Sequence, residues 1–228
     1  MTNESSSNTT TSMRNRLDGD LLRDPKTTLW LGGAILMLVA LAALALVVAE
    51  DPSALFRFDT WWRNIVQPPA EWAHNVSEVF YYLGLGWFTI PFRIVVGLWL
   101  ARRRRWFDLS AWFGAWAIAD ILTGVVKIGV ERPRPDLSDN LSFPSGHTKS
   151  AAQISVGLVL LMIPPWSRRW PAWIACAVVT GAMGLSRNIL DKHWASDVIS
   201  GALLGISAAL LAAAISQLCR NKRSSALR

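Results

Sequence analysis

The sequence predicts an all-α, polytopic membrane protein with six transmembrane helices, and three observations carry that reading. Of the 228 residues, 52% are hydrophobic and only 17% charged. The apolar residues gather into six runs, 28–49, 83–101, 110–130, 146–163, 171–190 and 197–218, each near the roughly 20 residues that cross a hydrocarbon core. Basic residues cluster where alternate runs end: Arg102 to Arg105, Arg168 and Arg169, then Arg220, Lys222, Arg223 and Arg228. In six alternating helices those ends share one side, which the positive-inside rule makes cytoplasmic. The formal charge of +7 is therefore read as membrane topology, and nucleic acid is set aside as a partner.

In chain order, residues 1–27 are rich in Ser, Thr and Asn without an apolar period, which predicts a flexible cytoplasmic tail. The six-helix domain is expected over 28–218 and a basic cytoplasmic tail over 219–228. Residues 28–49 read as a plain first span rather than a cleaved leader, because the run starts late and is long enough to cross. Residues 50–82 face outward on this topology, with five acidic residues against Arg57 and Arg63. After Pro68–Pro69, Trp72, Val76, Val79, Phe80 and Leu83 recur at helical spacing, the mark of an amphipathic helix in the interface. Anchoring in the aromatic belt is the plainer role for this segment, a lid over a site the other.

The second run holds Pro91 and Arg93 near its middle, and the third holds Asp120 at similar depth. A charge there is costly and needs a partner, so Arg93 and Asp120 are expected to pair or to share one polar network. The two cysteines, Cys176 and Cys219, provide neither a disulfide framework nor a metal spacing. Gly201 and Gly205 lie four apart in the sixth run, a spacing that lets helices approach closely.

The chemistry concentrates between the third and fourth runs, in KIGVERPRPDLSDNLSFPSGH from Lys127 to His147. Lys127 is a point cation, and Arg134 follows with Pro135 fixing its backbone. Pro144, Ser145, Gly146 and His147 open the fourth run, where a helix N-terminus attracts an anion. Gly146 leaves room for close approach, and Ser145 can cap the helix while offering a hydroxyl. Asp136 and Asp139 read as turn residues rather than metal ligands. In a second stretch, SRNILDKHWASD from Ser186 to Asp197, Arg187 is a fork of phosphate donors. His193 and Asp197 are four apart, so the carboxylate can hold one ring nitrogen and free the other as a nucleophile. Each residue alone has a plain reading as a snorkelling cation, a cap or a structural pair. Alternation nonetheless puts all of them on the face opposite the arginine clusters, with the parts to bind a tetrahedral oxyanion and transfer a phosphoryl group.

The pattern Lys127-x6-Arg134-Pro135, Pro144-Ser145-Gly146-His147, and Ser186-Arg187-x5-His193-x3-Asp197 resembles the three motifs of the type 2 phosphatidic acid phosphatase (PAP2) superfamily, in its integral-membrane branch, over about 28–218. The resemblance implies His193 as nucleophile, Asp197 as its orienting carboxylate and His147 as the acid for the leaving oxygen. It implies Lys127, Arg134, Ser145, Gly146 and Arg187 as the phosphate cradle, with Pro144 and Ser186 of the motifs in support; Asp120 and Arg93 are expected in support from their depth alone. No metal and no cofactor is expected, since fixed cations take that place. The implied substrate is a lipid phosphate or diphosphate met at the outer face of a bacterial plasma membrane, with both termini cytoplasmic. Family analogy favours a polyprenyl (undecaprenyl or decaprenyl) diphosphate cleaved to the monophosphate carrier of cell-wall assembly, with phosphatidylglycerol phosphate or phosphatidic acid as alternatives. A lipid-phosphate transporter would place its site at the midplane. A non-catalytic lipid binder would be expected to lack a motif residue, and a haloperoxidase would lack the spans. Oligomeric state has no signature in the sequence.

Overall fold

The structure, a computed structural model, describes residues 24–48, 53–163 and 170–226. Residues 1–23 of the expected tail, Pro164–Pro165, and the arginines at 168, 169 and 228 lie outside the described residues. Among the described residues the fold is all-α, with no strand. Eight helices follow in order: α1 Pro25–Val48, α2 Ser53–Val66, α3 Glu71–Gly84, α4 Gly86–Arg102, α5 Trp106–Val130, α6 Gly146–Met162, α7 Trp170–Ile189 and α8 Ala195–Ala226.

All six apolar runs are helical, as α1 and α4 to α8. On length and apolarity α1, α5, α7 and α8 can each cross a membrane alone, and α3 with α4 passes as one span bent by 50°. The bend falls at Leu85, whose extended backbone (ψ 156°) interrupts the second run. At 17 residues, α6 extends about 25 Å, short of a hydrocarbon core of about 30 Å. Large apolar side chains face outward along the bundle, among them Trp30, Val95, Ile121, Ile128 and Val178. On helices long and apolar enough to cross a membrane these belong in lipid, and the chain is a multi-pass membrane protein.

At the centre stands α8, packed by α6, α1, α5 and α7. Its buried face is built of small residues, from Ser196 and Ser200 to Ala208, Ala212 and Ser216, which lets backbones approach without a large driving force from water. Gly201 and Gly205 mark the closest approach: a Cβ on Gly201 would lie 2.4 Å from the Ser145 carbonyl oxygen, and one on Gly205 2.3 Å from that of Lys149. The first turns of α6 and α8 are thereby locked side by side. Along α1, Gly32 meets Leu211 of α8, and Ser207 Oγ donates to the Gly32 carbonyl at 2.8 Å.

Among the described residues, the basic clusters that include Arg105 and Arg220 meet at one end of the bundle. There Arg105 reaches both Asp108 and the Leu161 carbonyl, and Arg220 reaches Asp108. In the middle, Arg93 and Asp120 do not pair directly. Arg93 donates to Gln153 at 3.1 Å and lies over the Trp116 ring, while Asp120 accepts from the Trp116 indole at 2.7 Å and from Lys149. Trp116 thus joins them into one network. Arg93 prefers Gln153 because both are buried, whereas the Asp120 side chain is half exposed.

The helix expected after Pro68–Pro69 forms as α3, with its apolar stripe at Trp72, Val76 and Val79 exposed, and α2 precedes it as a second helix. The polar face of α2 instead inserts among the loops at the end opposite the arginines. Trp62 and Gln67 bond to Asn188 and Gln67 also to Ile189, while Arg63 pairs with Asp191 through both nitrogens at 2.7 and 2.5 Å.

Candidate active site

Four helix ends converge where α2 docks: the C-termini of α5 and α7 and the N-termini of α6 and α8. Glu131 closes α5 in a left-handed conformation (φ 46°, ψ 42°), turning the chain so that Arg132 enters the bundle. The loop 131–145 then returns to α6, and Ser145 N donates to the Asp197 carbonyl at 3.0 Å.

His193 and Asp197 are both buried, with Nδ1 and Oδ2 3.6 Å apart. Asp197 Oδ2 also accepts from the Ser142 hydroxyl and from Trp194 N at 2.8 Å. Its Oδ1 accepts from Arg132 at 2.6 Å. Burial pulls the His193 imidazole below its ordinary pKa, against the opposing pull of the Asp197 carboxylate. At neutral pH the ring is therefore uncharged, the form a nucleophile needs.

His147 occupies the first turn of α6 with its ring stacked on Tyr81, centroids 5.5 Å apart. Gly84 makes the space, since a Cβ there would fall 2.2 Å from His147 Cδ2. Arg187 lies over the same Tyr81 ring at 5.1 Å, and its carbonyl accepts from Lys192 N. His147 Nε2 and Arg187 Nε and Nη1 are buried without a hydrogen-bond partner. Buried polar atoms are rarely left unpaired, and the two Arg187 donors fit an anion that supplies the missing acceptors. Gly146 has open space where its Cβ would be, and the first amides of α6 have no acceptor within the helix.

The other predicted residues are placed less directly. Lys127 donates to the Leu141 carbonyl and Arg134 to Asp139 at 2.7 Å; both are spent on the loop they frame. Asp139 is thus the Arg134 partner, and Asp136 pairs with Lys192. For Asp136, burial would raise the pKa, yet the bonds from Lys192 and Ser138 outweigh it and hold the carboxyl at about 2. Among the described residues no three His, Cys, Asp or Glu side chains converge as a metal site. Ser145 does not cap α6 with its side chain; its hydroxyl meets Thr148 Oγ1 at 3.1 Å. The neighbouring α8 fixes its backbone instead. Ser186 bonds back to the Met183 carbonyl of its own helix, and Pro144 is fully buried in the turn.

Sequence reasoning missed the residues behind Asp197. Arg132 donates to Asp197, Ser196 and Asp59, the last at 2.5 Å, and Asp59 also accepts from Ser196 N and Oγ. The doubled Arg-Pro of residues 132–135 was the available hint for Arg132. Asp59 lies 73 residues away on α2 and left no local signal.

Beside Gly84 a groove of about 290 Å³ runs between α3, α4, α6 and α7, lined by Phe80, Phe88, Phe92, Ile154 and Leu158 among others. It is almost wholly apolar and begins where His147 sits.

Comparison with known proteins matches this arrangement. The PAP2 superfamily model matches residues 108–220, from before Lys127 to beyond Asp197. Phosphatidylglycerophosphatase B of Bacillus subtilis is 27% identical over 144 residues, 59% of this chain and 71% of that one. Decaprenylphosphoryl-5-phosphoribose phosphatase of Mycolicibacterium smegmatis is 35% identical over 109 residues, 44% of this chain and 54% of that one. The crystal structure of the transmembrane PAP2 type phosphatidylglycerolphosphate phosphatase from Bacillus subtilis superposes with a TM-score of 0.67 at 25% identity, over 79% of this chain and 95% of that one. Family model, backbone and the buried histidine–aspartate pair agree: the chain belongs to the PAP2 superfamily, as a membrane-embedded phosphatase.

Proposed function

We propose that the chain hydrolyses a lipid phosphate or diphosphate through a phosphohistidine intermediate on His193. The observation that carries this reading is the set of unpartnered nitrogens on His147 and Arg187 at the same helix ends as the buried His193–Asp197 pair. His193 Nε2 attacks phosphorus, the P–N bond forms, and the P–O bond to the lipid breaks. Asp197 holds Nδ1 and supports the charge that develops on the ring. His147 gives the leaving oxygen its proton, then takes one from the water that cleaves the P–N bond and releases phosphate. Arg187, Lys127, Arg134, Ser145 and the Gly146 amide stabilise the phosphoryl oxygens, since this chemistry depends mainly on positioning and charge. Lys127 and Arg134 exchange their loop acceptors for phosphate when substrate arrives.

The domain spans 28–218 in six crossings, including the short α6, between the cytoplasmic tails 1–27 and 219–228. The arginine end is cytoplasmic and the site extracytoplasmic, in a bacterial plasma membrane. A lipid reaches such a site with its head at the interface and its chain in the groove beside Gly84. A polyprenyl diphosphate, cleaved to the monophosphate carrier of cell-wall assembly, is the first choice; the decaprenyl lipid in the name of the mycobacterial relative supports that class. Phosphatidylglycerol phosphate is the second reading, favoured by the names of the two Bacillus matches.

The test is a panel of lipid phosphates offered to purified protein in EDTA, with His193→Ala alongside. Phosphate release from the polyprenyl diphosphate, in chelator and lost in the variant, is expected. Release that needs added metal or survives the substitution would overturn the mechanism, and the panel ranks the lipids.

A further inference from the structure

We infer that Asp59 and Arg132 are positioning residues for the reaction, and that α2 is the strap that sets the charge behind the nucleophile. The inference rests on the reading of His193 as the attacking group. Three fully or nearly buried side chains form a line from α2 to the site: Asp59, Arg132 and Asp197 are 0%, 9% and 0% exposed. Arg132 divides its fork between the two carboxylates, 2.5 Å to Asp59 and 2.6 Å to Asp197. Ser196, next to Asp197 on α8, ties the line sideways by donating backbone N and hydroxyl to Asp59 at 2.8 and 2.6 Å.

Two consequences follow. Arg132 takes one oxygen of Asp197 so that the other, Oδ2, stays turned toward His193 Nδ1, 3.6 Å away. The ring is then held in one tautomer, with Nε2 free. The charges also matter. Two carboxylates share one guanidinium, so the line carries one negative charge that Arg132 alone does not balance. The imidazole becomes cationic as Nε2 attacks, and that surplus charge stabilises it where little water reaches. Without Asp59, Arg132 would neutralise Asp197 and the ring would lose this support. The other charged or titratable groups acting on His193 are Arg187 of α7 and Lys127 of α5, both cations, with His147 of α6 also coupled to it. None of them replaces the carboxylate.

The expectation is specific to Asp59→Asn, which keeps shape and most hydrogen bonds but removes one charge. In purified full-length protein, kcat should fall by about 10- to 100-fold, the range for partners that orient a reacting or ligating histidine, with KM for the lipid phosphate little changed. The acid limb of the kcat/KM profile should move to lower pH, because the removed carboxylate had favoured the protonated ring. Asp59→Glu should restore part of the rate. Arg132→Lys, which keeps charge but loses the two-way fork, should lower kcat without that pH shift. Ser196→Ala carries the same test with a smaller loss if Asp59→Asn is not recovered folded. Histidine-selective ¹⁵N NMR of the detergent-solubilised protein reads the ring independently of turnover and should show His193 titrating at lower pH in Asp59→Asn. A folded Asp59→Asn with wild-type kcat and an unmoved His193 titration would overturn the inference. An active His193→Ala would instead remove the reading beneath it.

Discussion

At the scale of the residue, the account turns on one imidazole and the carboxylate behind it. His193→Ala should lower phosphate release by ~10³-fold or more, because the proposed mechanism assigns the attack to this ring. Asp197→Asn should cost on the order of 10³-fold, since the amide no longer fixes the productive tautomer; steady-state kinetics on a lipid phosphate check both. Burial lowers the His193 pKa from an ordinary value of about 6.5, and only the neutral ring attacks. The acid limb of kcat/KM is therefore expected below pH 6.5, and a limb above it would contradict the burial seen here. Asp136 behaves oppositely. Its folded pKa, about 2, lies below an unfolded value of about 3.9. Its pairing with Lys192 thus stabilises the loop above pH ~4 and is lost as pH falls through ~2. The melting-temperature gap between wild type and Asp136→Asn should accordingly narrow as the medium is acidified below pH 4.

At the scale of the element, close backbone contact positions the site. Gly84→Ala places a methyl where His147 Cδ2 now lies, so kcat should drop while the melting temperature holds, as the imidazole tilts away from Tyr81. Gly205→Ala meets the Lys149 carbonyl, a backbone atom that cannot rotate aside, and should destabilise the fold by about 1–3 kcal/mol. The spacing of Gly201 and Gly205 was visible in the sequence, but what it serves was not: only the packed helices show that it presses α8 against the Ser-Gly-His turn. Arg93 and Asp120 give a similar lesson. Depth alone suggested a pair, yet Gln153 and Lys149 are their partners, both polar residues on α6 with no signal beyond their place in an apolar run. Lys149→Met with Asp120→Asn should be strongly non-additive in stability, and Arg93→Met with Asp120→Asn more weakly so, since those two meet only through Trp116.

At the scale of the whole molecule, the order of helices and the gathering of Lys127, Arg134, His147, Arg187, His193 and Asp197 at one end were legible from run lengths, cap residues and charge. These are local signals, and they survive because a membrane permits little but helices. The contributions of α2 and of Tyr81 were not legible, because they arise from pairings across long sequence separations that carry no period. Residues 50–82 read as an interfacial anchor or a lid over the site, whereas α2 reaches into the site with Asp59, Trp62 and Arg63. The claim beneath all of this is that phosphate passes through His193. Rapid acid-free quenching of the protein with a polyprenyl diphosphate carrying ³²P in its terminal phosphate, followed by peptide mapping, tests it directly. The account predicts alkali-stable, acid-labile label on the peptide bearing His193 in wild type, accumulating in His147→Ala if that variant slows its hydrolysis, and no label in His193→Ala. Turnover with label on another residue, or label that persists in His193→Ala, would contradict it.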